Sequence, residues 1–199
     1  MKKLMFVAVL PTLLILSAVL YAQQNKAVTV TEVKAVPQVD LKRYSGKWYE
    51  IARYSNKFQK KCVGNTTATY TIKPDDEIEV LNQCVEKDGT TDEAKGKAKV
   101  VDPATNAKLK VRFAPGFLSF LSSVWGDYWI IDLDVNYQYA AVGDPKRDYF
   151  WILSRTPQMS DAVYQNILRR AEKMGFKPGQ VVKTPQNVEI IKGAAIPKQ

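Results

Sequence analysis

From Lys47 to Arg155 the chain keeps a period of two, broken at short intervals by turn residues. Side chains alternate across a pleated strand, so most of these segments have one apolar and one polar face. The segments are KWYEIARY (47–54), TTATYTI (66–72), IEVLNQCV (78–85), DEAKGKAKVVD (92–102), KLKVRF (108–113), DYWIIDLD (127–134), NYQYAAVGD (136–144) and YFWILSR (149–155). Turns such as PDDE (74–77), KDGT (87–90), DPATN (102–106) and DPKRD (144–148) join several of them. Short links favour antiparallel up-and-down order. Eight strands in that order close into a barrel, which abolishes exposed edges and leaves room for one small ligand. A β-sandwich, in which a second sheet supplies the bulk, is the alternative. The expected fold is all-β, an eight-stranded antiparallel up-and-down β-barrel. One C-terminal helix over about 160–174 packs outside it.

Parity assigns the inward face. Strands two to five give Ala68 and Tyr70, Ile78 and Val80, Ala98 and Val100, Val111 and Phe113. Ala94, Gly96 and Ala98 share the fourth strand's inward face, and small residues there leave space. Strands six to eight are apolar on both faces, so their parity is open; the inward reading taken is Trp129, Ile131, Tyr139 and Trp151. The helix has Ser160 to cap it, Arg169, Arg170 and Lys173 late, and Gly175 just beyond. Val163, Ile167, Leu168, Ala171 and Met174 form its apolar stripe.

Composition narrows the chemistry. The 199 residues hold no His, which removes imidazole as base, shuttle or metal ligand. Two Cys are too few for a multi-thiolate zinc site, so no metal and no cofactor is expected. The net charge is +9, but the lysines are dispersed along strand faces and no nucleic-acid motif accompanies them, so no nucleic-acid partner is expected. Residues 1–22 combine Lys2 and Lys3 with an apolar run and a small residue at Ala22, the pattern of a signal peptide. Cleavage after Ala22, cleavage after Ala18 and retention as a membrane anchor all stay open, because Leu20 is bulky and the run is long. No Cys precedes Cys62, so the segment's end carries no lipid acceptor. Residues 23–39 read as an extended leader, 40–186 as the domain and 187–199 as a tail. Export permits a Cys62–Cys84 disulfide; two independent thiols are the alternative.

At this point the motifs resemble a known family. GKWYEIARY resembles the lipocalin signature of the first strand, LDVNYQYAAVGDP (133–145) the second lipocalin motif, and YFWILSRTP (149–157) the third. The set is most similar to the bacterial outer-membrane branch, with plant temperature-induced lipocalins and apolipoprotein D. The resemblance implies a barrel with a helix beside it, closed at the end marked by Gly46, Trp48 and Arg155, with the guanidinium crossing the indole. It also implies binding of a hydrophobic small molecule, a fatty acid or lysophospholipid, and a role in membrane maintenance or lipid traffic. Close bacterial members carry an acylated N-terminal Cys that this chain lacks, which favours a periplasmic or secreted form, or the anchor noted above.

The mouth then falls at the other end. The 54–64 loop brings Phe58 and Lys61, and the 114–126 loop brings Phe117, Leu118, Phe120, Leu121 and Trp125. Such an apolar loop beside lysines points to contact with an anionic membrane surface or an amphiphilic ligand's head group; a lid folded over the barrel is the alternative. Tyr70, Tyr139 and Lys61 are the candidates to orient a polar head group. The protein is expected to be a monomer or weak dimer and no enzyme. The rival readings are catalysis on a lipophilic substrate, with Glu50 or Asp132 as the acid, and a membrane-associated interaction module.

Overall fold

A computed structural model describes residues 31–74, 77–113 and 124–188. Strands β1 (Gly46–Tyr54), β2 (Cys62–Ile72), β3 (Ile78–Glu86), β4 (Thr91–Val100), β5 (Lys108–Arg112), β6 (Gly126–Leu133), β7 (Tyr139–Gly143) and β8 (Phe150–Ser154) pair antiparallel in chain order. β1 closes the ring by pairing with both β8 and β2. A ninth strand, β9 (Val181–Lys183), lies outside the ring and pairs with Ala52–Tyr54 of β1. The β1–β2 ladder covers only Gly46–Tyr49, so β9 takes the upper part of the edge that β2 leaves. The barrel expectation stands and the sandwich does not.

The floor is built before β1 begins. The short helix α1 (Leu41–Tyr44) is capped by Asp40, whose carboxylate accepts from the amides of Lys42 and Arg43. Ahead of it, residues 31–39 run extended along the barrel. The Val36 amide donates to the Ile130 carbonyl and the Val39 amide to that of Thr105, and Val33 and Val39 are buried. The described part of the leader is therefore part of the domain. Residues 1–30 and 189–199, with the stretch read as a signal peptide and most of the tail, lie outside the described residues.

Helix α2 (Asp161–Lys173) lies on the outer wall. Ser160 caps it, and Tyr164, Ile167, Leu168 and Ala171 are buried against Ile51, Ala52, Tyr54, Ile131, Ala141, Phe150 and Ile152. Gly175, at φ +82°, ends it as expected. This second core explains why β6–β8 read as apolar on both faces. One face lines the barrel and the other meets the helix.

Among the described residues no helix is long and apolar enough to cross a membrane, and no His, Cys, Asp or Glu cluster could hold a metal ion.

Candidate ligand site

The barrel interior divides into a filled floor and a more open upper half. Trp48 is fully buried, and the Arg155 guanidinium carbon sits 3.7 Å from the centre of the indole. Arg155 also donates to the carbonyls of Arg43, Tyr44, Ser45 and Lys47 at 2.6–3.1 Å, which ties α1 and the start of β1 to the end of β8. Gly46 has φ +90°, and a Cβ there would lie 3.5 Å from Arg155 Nη1. The signature contact inferred from the resemblance is thus present.

Above Trp48, three tyrosines share their hydroxyls. Tyr128 Oη lies 2.8 Å from that of Tyr44 and 2.8 Å from that of Tyr70. Burial raises all three pKa values, that of Tyr70 to about 12. The trio is neutral at physiological pH. Ile78, Ala98, Leu109 and Val111 pack around it and leave a void of about 10 Å³, room for about one water. A larger cleft, about 300 Å³, lies outside the barrel between Ile51, Met159, Tyr164 and Thr184.

The upper half differs. Register places Ala94 and Gly96 of β4 on the same face as the buried Ala98. Ala94 is exposed although it faces the interior, and Phe113 is 43% exposed. The small-residue argument holds in part. A Cβ on Gly96 would come within 2.6 Å of the Phe113 ring, so that ring fills the space Gly96 leaves. Ala98 is packed at 3% exposure, whereas Ala94, on the same face, is exposed.

Ala68, Tyr70, Ile78, Val80, Ala98, Val100, Val111 and Trp151 join the interior cluster, and Phe113 shares their face by register. Trp129, Ile131 and Tyr139 do not. Tyr128, Ile130, Ala140 and Val142 point inward instead, and the three predicted residues pack outward on the helix side. Tyr139 accepts a hydrogen bond from Arg170 of α2, and Trp129 lies beneath the Lys108 ammonium at 4.4 Å. Tyr139 is therefore not placed to orient a ligand's head, and Tyr70 sits in the floor trio. Asp132 is ion-paired to Arg170 at 2.6 Å on the same outer side, which removes it as an interior acid.

The described connections opposite Trp48 belong to the mouth, including the predicted 54–64 loop. Phe58 is 67% exposed and leans on Tyr149 at 6.0 Å; Tyr149 stacks on Trp151 at 5.7 Å. This aromatic ladder runs from solvent into the barrel. Lys61 is ion-paired to Glu86. Trp125 is half-buried under Lys99 and Arg112, whose partners in the β4–β5 ladder put them on the outer wall. Phe117, Leu118, Phe120 and Leu121 lie outside the described residues. Cys62 and Cys84 form a disulfide that pins β2 to β3 near the mouth.

Sequence reasoning named Glu50 as an interior acid but missed Arg53 beside it. Glu50 and Arg53 stand opposite Leu153 and Trp151, so both point inward, on either side of a bulge at Ile51. Gln59 of the mouth loop donates to Glu50 Oε2 at 2.6 Å, and the Thr184 hydroxyl donates to Oε1. Burial pushes the Glu50 carboxyl above its usual range, against the lowering effect of those two hydrogen bonds and of Arg53. The bulge, invisible in a single strand's sequence, shifts parity after Glu50.

A closed barrel with a sealed floor, an apolar lining and a mouth at one end is a cup for a small apolar molecule. Residues 39–186 match the family described as Lipocalin-like domain. The chain is 42% identical over 158 residues to Temperature-induced lipocalin-1 of Arabidopsis thaliana, covering 78% of this chain and 84% of that protein. It is 39% identical over 155 residues to Outer membrane lipoprotein Blc of Escherichia coli (strain K12), covering 77% and 83%. Insecticyanin of the tobacco hornworm Manduca sexta shares the fold at 20% identity, with a TM-score of 0.63 over 78% of this chain and 85% of that one. The chain belongs to the lipocalin family, whose members are known for binding small hydrophobic ligands.

Proposed function

We propose that this protein binds and carries single-chain lipids, fatty acids or lysophospholipids, in the cell envelope, and that it serves membrane maintenance. The observation that carries this reading is Ala94: it faces the barrel interior, above a packed floor, and is still exposed. An acyl chain there is held by burial, at about 0.8 kcal/mol per CH₂. The kinship with an Outer membrane lipoprotein supports an envelope location, and residues 1–22 supply the export signal. Residues 40–186, with the described leader packed on them, act as one binding domain. The mouth, with Phe58 exposed beside Lys57, meets an anionic membrane surface when lipid is exchanged. Binding rather than turnover is the activity. Among the described residues the carboxyl found on the interior face, Glu50, is held by two side chains of the protein itself.

Titration with a fluorescent fatty acid tests the reading. Saturable uptake at one site per chain, displaced by unlabelled fatty acid or lysophospholipid, is the expected result. No uptake, with the protein folded, overturns it. Flotation with anionic vesicles tests the membrane contact separately, and protein left at the bottom of the gradient contradicts that part alone.

A further inference from the structure

We propose that Arg53 is the head-group residue of the barrel, pairing with the anionic group, carboxylate or phosphate, of an amphiphile held inside. The inference rests on the lipid-binding reading above and deepens it. Arg53 points inward because it stands opposite Trp151, which belongs to the interior cluster. Its side chain is 15% exposed. Its Nε is buried with no hydrogen-bond partner and lies 3.5 Å from Glu50 Oε1, beyond good hydrogen-bonding distance. A guanidinium brings five N–H donors, and a buried one without acceptors is costly.

Glu50 meets that need only in part: it is ion-paired to Nε at 3.5 Å without a hydrogen bond, each of its oxygens also accepts from Thr184 or Gln59, and its burial disfavours the charged form. The arrangement therefore holds a guanidinium with an unfilled donor on the inner face of the barrel, opposite Trp151 in the β1–β8 ladder and near the mouth loop whose Gln59 bonds Glu50. An incoming carboxylate or phosphate matches the guanidinium fork with two parallel hydrogen bonds. A neutral chain of the same length gains only the burial.

Three ligands separate the two contributions: hexadecanoic acid, hexadecanol and hexadecanoyl lysophosphatidate. Each displaces the neutral probe N-phenyl-1-naphthylamine from wild type, Arg53→Met and Arg53→Lys, with melting curves recorded for all three proteins. In wild type one or both anionic ligands bind at least about tenfold more tightly than the alcohol, a difference of about 1.4 kcal/mol. The acid and lysophosphatidate arms show whether carboxylate or phosphate is preferred. Arg53→Met removes that advantage and leaves hexadecanol affinity within about twofold of wild type, while Arg53→Lys keeps part of it. Retained hexadecanol binding also certifies that the barrel has folded. An anion-to-alcohol ratio unchanged in Arg53→Met overturns the head-group assignment while leaving lipid binding standing. A wild type that binds none of the three overturns both readings. If Arg53→Met fails to fold, Arg53→Lys and wild type decide: equal wild-type affinity for acid, lysophosphatidate and alcohol sinks the proposal.

Discussion

The two ends of this barrel are built on opposite principles. At the floor every strong group has a partner: Trp48 lies under Arg155, Arg155 is spread over backbone carbonyls, and Tyr44, Tyr70 and Tyr128 share their hydroxyls. Toward the mouth, groups are left short of partners. Ala94 faces space, Phe113 is exposed on the inward face, and Arg53 lacks an acceptor for its buried Nε. The difference separates stability from binding. Substitutions in the floor should cost folding free energy, and substitutions above it should cost ligand affinity.

The largest expected effect is at the floor. Trp48→Ala removes a fully buried indole and the surface on which Arg155 rests, and should lower unfolding free energy by about 3–5 kcal/mol in a denaturant titration. A loss under about 1 kcal/mol would mean that the floor is no structural anchor. Next comes the bond at the mouth. Reducing Cys62–Cys84 frees a loop whose closure is worth roughly 3 kcal/mol, about 6–12 °C in melting temperature for a domain of this size. A pair of tryptophan insertions sharpens the contrast within one strand. Ala98→Trp overpacks the floor and should cost about 1–3 kcal/mol or more. Ala94→Trp, four residues toward the mouth, should change stability by less than about 0.5 kcal/mol yet weaken fatty-acid uptake at least about tenfold. Equal effects from the two would erase the division between the halves.

The effect that is nil at neutral pH is a pH slope. Unfolded tyrosines ionise near pH 10, whereas burial holds the trio neutral to higher pH, Tyr70 up to about 12. The folded state binds its protons more tightly, so stability is unaffected below about pH 10 and falls as pH rises toward 12. Each such tyrosine contributes about 1.4 kcal/mol per pH unit there. Tyr70→Phe should make the fall shallower. An unchanged slope would mean that Tyr70 is not sealed in the floor.

The fold was legible because strands two to five carry their pattern openly. Lys95, Lys97 and Lys99 against Ala94, Gly96 and Ala98 leave one choice of face. Strands six to eight were not legible in the same way. Trp129, Ile131 and Tyr139 are as apolar as Tyr128, Ile130 and Val142, because α2 buries the outer wall there. The signal that orients them is the helix itself: Arg170 reaches Asp132 and Tyr139, so these must be outside. Arg53 was hidden for a different reason. Strict alternation from Trp48 puts Glu50 inward and Arg53 outward, and only the bulge at Ile51 turns Arg53 in. The space left by Gly96 was also misread, since what occupies it is Phe113 of the adjacent strand.

Native mass spectrometry of the protein purified from its native host, with organic extraction of whatever it carries, tests the central claim most directly. The account predicts one single-chain lipid per barrel, lost or strongly reduced in Ala94→Trp. A folded wild-type protein that emerges empty, and that takes up no fatty acid or lysophospholipid when these are supplied, would contradict it.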